Sequence, residues 1–416
     1  MAVSILLIFS MYIVFFSESE KNLDYYEYEC RQCGYHFNGQ PERCPNCNVE
    51  LDWENKDNND DDSNEDENNY QDIKHIVFIE EGTATWCSNC PEVADVLHES
   101  YDPENPDFYY VSMVEDKNSK AHGRLYDNYN ILGFPTVFID GGYGIIIGSA
   151  NFKSLFKDKL ADATSRNTPK IDLNVYAEWN ENKSELKSTV TIENKEQDTY
   201  DGRLKVYVTE INSKWSDWNG NPYTYSFLDY TMDKEIELEP DENETFSSTW
   251  DGSAPDTYPE NLWIIAVIFT KESTQQFSDP PDDEHSFDAC YADAADATRV
   301  SEGNLPPSIG ISSPKEWMRY ILGKETQKTL LGKTMLIGKT PIKVNVQAES
   351  GVEKVEFSVK GLLGEEGGAI TKEPYEWMWE SFAFGKCTIT AKVYDKEGRT
   401  ATDSIEVFAF ILPKII

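Results

Sequence analysis

The residues of this sequence that could do chemistry are its eight cysteines, at 30, 33, 44, 47, 87, 90, 290 and 387 of 416. In the stretch GTATWCSNCPEVADVL (82–97), Cys87 and Cys90 stand two residues apart behind Trp86, where an apolar strand gives way to a helical pattern. Such a pair can work as a redox couple, form half of a metal knuckle or close a fixed disulfide, and no second pair lies nearby to complete a zinc site. A thiol at a helix opening faces unpaired backbone N–H groups and the positive end of the helix dipole, which lower its pKa from about 8.5 to roughly 3.5–7.5. On that chemistry Cys87 is the attacking sulfur, and Cys90, one turn in, resolves the mixed disulfide. Pro91 fits the first helical turn, where a missing N–H costs least.

Cys30, Cys33, Cys44 and Cys47 form a second constellation: the pairs CRQC and CPNC, with ten residues between them. Two tight knuckles joined by a short hairpin can deliver four thiolates to a tetrahedral ion, so a structural zinc ribbon is expected over 25–53. Gly34 and Pro45 suit the turns in which amides point toward sulfur. The module resembles the zinc-ribbon and rubredoxin-like knuckles of archaeal and bacterial proteins, and its short middle spacing favours zinc over iron. A pair of disulfides is the alternative in an oxidising compartment. Cys290 and Cys387 could bridge their two segments or remain buried thiols. The five histidines form no spaced metal pair, and neither a Ser-His-Asp pattern nor a glycine-rich phosphate loop is evident.

The elements that must position these residues follow from the apolar patterning. Residues 54–72, ENKDNNDDDSNEDENNYQD, lack any aliphatic side chain and cannot bury enough surface to fold, which makes them an acidic disordered linker. They lack the glycine and the final glutamate of a calcium loop. Residues 73–165 alternate strand and helix signals in the order βαβαββα, which predicts a small α/β sandwich. After Pro169 short alternating strands dominate: a β-sandwich domain over 170–300, a linker at 301–308 (SEGNLPPS) and a second sandwich over 309–412.

TWCSNCP, the apolar strand before it and YNILGFPTVFIDGG together resemble the thioredoxin fold over about ninety residues. The resemblance implies a cis-proline at Pro135 packed against the cysteine pair. It also implies that Phe134 offers backbone hydrogen bonds to a bound peptide and that Trp86 shields the disulfide. Glu81 falls where thioredoxins keep a buried carboxylate that relays a proton to the resolving cysteine, with Glu80 as the neighbouring register. Ser88-Asn89 departs from the Gly-Pro of cytoplasmic thioredoxins, so the redox poise does not transfer. TWCSNCP followed by a sandwich is similar to exported proteins related to the twenty-eight-kilodalton outer membrane protein class. Residues 309–412 look like an immunoglobulin-like domain of microbial surface proteins, in which Trp377 and Trp379 share one strand.

Composition bounds the function. The net charge of −38 excludes a general polyanion-binding role, nucleic acid included. Residues 1–16, MAVSILLIFSMYIVFF, carry no charged side chain and would reach about 24 Å as a helix, short of a roughly 30 Å hydrocarbon core. Residues 1–20 therefore read as a signal peptide or short anchor, with membrane association through residues 2–16 and an extracytoplasmic, cell-surface or secreted location. The expectation is an exported thiol–disulfide oxidoreductase acting on protein thiols or disulfides, with a redox partner protein. Its fold would be a thioredoxin-like α/β sandwich between a zinc ribbon and two all-β immunoglobulin-like sandwiches. The alternative is a non-enzymatic cell-surface binding or scaffold protein.

Overall fold

The structure, a computed structural model, describes residues 75–412 apart from 255, 302, 330, 331 and 363, together with the short strands Tyr28–Glu29 and His36–Phe37. The chain divides into two compact units, residues 1–69 and 70–416. In the first, β1 (Tyr28–Glu29) pairs antiparallel with β2 (His36–Phe37), Tyr28 facing Phe37.

Two apolar runs seed the second unit. β3 (Val77–Thr83) and β4 (Phe108–Val114) are buried at every position and pair in parallel, as strands covered on both faces do. β5 (Thr136–Ile139) runs antiparallel to β3, and β6 (Gly144–Ile147) runs antiparallel to β5. Helix α1 (Cys90–Ser100) has Pro91 in its first turn and buries Val93 and Leu97, four residues apart on one face. A short helix α2 (Ser119–Gly123) is capped by the Asn118 side chain, which accepts from the amides of Lys120 and Ala121. Helix α3 (Phe152–Thr164) buries Phe152, Phe156 and Ala163. With α1 it closes one apolar layer over Val77, Ile79, Phe108 and Val137.

The opposite face of these strands is closed by strands from far along the chain. β9 (Tyr200–Ser216), β10 (Pro222–Leu238), β12 (Leu262–Asp279) and β13 (Glu284–Arg299) are 16 to 18 residues long. They join β4 in one eight-stranded sheet of order β13-β12-β9-β10-β4-β3-β5-β6. The junction is parallel, with Ser226 opposite Ser112. The sheet curls back on itself, because Phe269 of β12 meets Phe78 at 6.0 Å and Phe287 of β13 meets Phe138 at 6.0 Å. A three-stranded sheet of β7 (Ile171–Asn180), β8 (Glu185–Asn194) and β11 (Asn243–Asp251) packs on the other end of the long strands through Val190, Leu204, Ile264 and Ile268.

The last part of the chain forms a sandwich. One layer is β14 (Ser308–Ser313), β18 (Thr340–Gln347) and β21 (Glu376–Trp379). The other comprises β15 (Met318–Ile321), β16 (Lys324–Lys328), β17 (Thr334–Ile337), β19 (Val352–Gly361), β20 (Gly364–Ile370), β22 (Ala383–Asp395) and β23 (Thr400–Ile411). Trp379, Leu336, Ile342 and Ile389 are in its core.

This architecture overturns the expected fold class and the thioredoxin resemblance. Among the described residues strand accounts for 58% and helix for 12%, so β-sandwich packing dominates. The helix and strand signals of 73–165 do form elements, but not a self-contained α/β sandwich. β4 exposes an edge that the 73–165 segment cannot pair, and β10 takes it. The sheet then belongs to two segments that the sequence reading kept apart.

Candidate functional site

Cys87 and Cys90 are joined by a disulfide with an S–S distance of 2.08 Å. The bridge is assembled where β3 ends. The Cys87 amide donates to Ala84 O (3.0 Å), closing a turn. Thr85 anchors that turn to Asp116 through its amide (2.9 Å) and its hydroxyl (2.6 Å). Asn89 stands at the start of α1 without a side-chain cap, which leaves the helix opening to Cys90 and Pro91. The bridge packs on Ala84, Trp86 and Phe134. Trp86 meets Phe134 edge-on at 5.7 Å, and the Phe134–Pro135 peptide is cis. The structure thus brings Cys87, Cys90, Trp86, Phe134 and Pro135 into one neighbourhood.

The outside of the bridge is covered. Cys87 is 5% exposed and Cys90 fully buried. Trp317, at the foot of β15, stacks on Trp86 at 5.2 Å with ring planes 15° apart. Lys328 of β16 donates from Nζ to Ser88 Oγ (3.0 Å) and lies 5.2 Å from the Trp218 ring centre. Beside this contact a cavity of about 60 Å³ is lined by Thr85, Trp218, Lys315 and Glu316. That is room for roughly two waters and not for a polypeptide substrate. Trp218, Trp317 and Lys328 were missed by sequence reasoning, because isolated aromatics in turns and a lysine on a short exposed strand carry no periodic signal.

The two neighbouring carboxylates of β3 have opposite environments. Burial opposes ionising Glu80, but Arg124 reverses this and holds its carboxyl below the usual range. Arg124 donates from Nε (3.0 Å) and Nη2 (2.8 Å), and the Tyr129 and Tyr207 hydroxyls add to the set. Glu81 points to the other face, fully buried. Ser112 donates to its Oε2 (2.8 Å), while Oε1 has no hydrogen-bond partner. Burial pushes Glu81 up to about 7, with Asp217 and Asp95 adding to the rise.

The oxidoreductase reading is corrected at this site. Nucleophilic attack by or on Cys87 needs a sulfur that a second polypeptide can reach. Here the bridge is closed and buried, Trp86 packs against it, Trp317 stacks on Trp86 and Lys328 bonds the intervening Ser88, and nothing in the structure supports thiol–disulfide exchange as the function. The zinc reading is withdrawn as well. Cys30, Cys33, Cys44 and Cys47 lie outside the described residues, and among the described residues no group of three or more His, Cys, Asp or Glu could hold a metal ion. Cys290, half-buried, and Cys387, buried, are free thiols, and burial pushes both up.

No protein-family model matches the chain, and no curated protein matches it. Among solved structures it is similar to the fibronectin(III)-like modules of Clostridium thermocellum CbhA, at 14% identity over 57% of this chain and 95% of that one, with a TM-score of 0.20. It is also similar to a β-glucosidase from Listeria innocua (15% identity, 33% of this chain and 16% of that one, TM-score 0.20). A red sea bream transglutaminase matches at 9% identity over 67% of this chain and 38% of that one, again with a TM-score of 0.20. The chain thus spans about a sixth of the glucosidase and about two fifths of the transglutaminase. At these scores the likenesses carry no argument about what the chain does.

Proposed function

We propose that the chain is a non-enzymatic cell-surface binding or scaffold protein, in which the Cys87–Cys90 bridge is a structural staple. The observation that carries this reading is the burial of the bridge: Cys87 is 5% exposed and packs against Trp86, on whose indole Trp317 stacks. A disulfide in that position fixes the turn between β3 and α1, and so the ledge on which the C-terminal sandwich rests. The apolar stretch 2–16 and the acidic composition support a surface location.

An insulin-reduction assay tests the reading. Wild type and Cys87→Ser are expected to give the same background rate with dithiothreitol as reductant. Turnover by the wild type that Cys87→Ser abolishes would restore an enzymatic account.

A further inference from the structure

Residues 309–412 differ electrostatically from the rest of the chain. They hold 14 Lys and Arg against 14 Asp and Glu, while the whole chain carries −38. On this neutral sandwich, one end of the seven-stranded layer is apolar on its outer face. Ile321 of β15 lies opposite Ile337 of β17, Ile337 opposite Phe410 of β23, and Phe410 opposite Phe384 of β22. Their strand neighbours Tyr320, Leu336, Ala409 and Ala383 are buried, so alternation turns this row of four outward. The row crosses four adjacent strands, a span of roughly 15 Å.

The loops at the same end extend the row. Leu322, in the turn after β15, is 67% exposed; Leu362, in the turn after β19, is 86% exposed. Phe382 precedes β22, lines a shallow cavity with Leu362 and Phe384, and is half exposed. Leu412 follows β23 and is 81% exposed. Leucine and phenylalanine standing free at several loop tips and across an adjoining strand row form a contiguous apolar patch of the kind that marks an interaction site.

We infer that this end of the C-terminal sandwich docks into a lipid bilayer surface, with Leu322, Leu362, Phe384 and Leu412 entering the interface. Two observations select lipid over a protein partner. The apolar side chains project from tips at one end, as insertion into a fluid layer requires. Lys324 and Lys339 flank the row beside Ile321 and Ile337, where their ammonium groups can remain at headgroup level. Glu365 and Glu366 border the cavity and disfavour anionic lipid, so insertion is apolar rather than electrostatic. This inference does not depend on the state of the cysteines.

Flotation of the full chain with phosphatidylcholine vesicles, alone or with one quarter phosphatidylglycerol, tests it. Each Leu or Phe moved out of water changes a partition coefficient by roughly tenfold or more. The double variant Leu362→Asp/Phe384→Asp is expected to partition at least tenfold less than wild type, and Leu155→Asp on α3 to match wild type. Binding should survive in 1 M NaCl. Hydrogen exchange on vesicle-bound protein separates the tip from any contribution of residues 2–16: amides of 361–366 and 381–386 should be protected, those of β11 unchanged. Vesicle-bound protein without that protection, or binding that requires the anionic lipid, overturns the inference. So does a lipid-free wild-type dimer that the double variant abolishes in sedimentation, which would make the patch a self-association face.

Discussion

Replacing Glu81 with Gln tests the electrostatics of the buried strand directly. Glu81 is fully buried, and burial raises its carboxyl from 4.5 to about 7. In the unfolded chain the group ionises near 4.5, so between pH 4.5 and 7 the unfolded state loses a proton that the folded state keeps. Stability from this group is therefore greatest below about pH 4.5, falls as pH rises to 7, and is level beyond. At 1.36 kcal/mol per pKa unit the full loss is about 3 kcal/mol. Glu81→Gln cannot ionise and keeps a partner for the Ser112 hydroxyl, so the loss vanishes. Amide exchange of β3 and β4 reads the opening of this sheet without requiring that the whole chain unfold in one step. Comparing wild type and variant at the same pH cancels intrinsic exchange rates, and Asp217, itself pushed up to about 6, is present in both. The variant's protection relative to wild type should grow roughly a hundredfold from pH 5 to pH 8. A ratio that stays constant across that range would refute the reasoning.

Two further perturbations follow from the same geometry. Arg124→Met strands the Glu80 carboxylate in the core and should cost about 3–5 kcal/mol in urea unfolding, whereas Glu80→Leu/Arg124→Met should recover most of it; equal losses in both would deny the ion pair its role. Trp317→Ala removes a stack worth about 1 kcal/mol from above the disulfide, so reduction by dithiothreitol, followed by alkylation and mass spectrometry, should run roughly fivefold faster, and an unchanged rate would show that the indole does not guard the bridge.

How far the fold was legible depended on whether an element's fate was local. The period-two pattern of VEKVEFSVKG and the apolar run of HIVFI are decided by the residues themselves; the first is a strand throughout and the second enters one at Val77. The helix after Cys90 is equally local, with Pro91 in its first turn and Val93 and Leu97 on one face. What the sequence hid was the company these strands keep. FYYVSMV reads as a strand buried on both sides, but nothing in it names β10, more than a hundred residues later, as the partner on its open edge. A single β10–β4 junction turns an expected independent α/β sandwich into part of a curled eight-stranded sheet. Phe269 and Phe287 then occupy a face that a freestanding domain would cover with helices.

The candidate site repeats that lesson at the scale of single atoms. Residues 82–97 contain everything needed to bend a strand into a helix and to bring two sulfurs together, and they do so. What surrounds the motif comes from elsewhere: Trp317 stacks on Trp86 and Lys328 bonds Ser88, about 230 and 240 residues downstream. Glu80 and Glu81 make the same point more sharply. They are one chemical type, adjacent on one strand and equally buried, yet Arg124 holds the first ionised while the second has an oxygen with no partner at all. Because successive strand residues face opposite sides, a one-residue choice of register decides which carboxylate meets the guanidinium. Reactivity in this chain is a property of the tertiary contact, and a motif cut free of its covering sandwich would present different chemistry from the same motif in place.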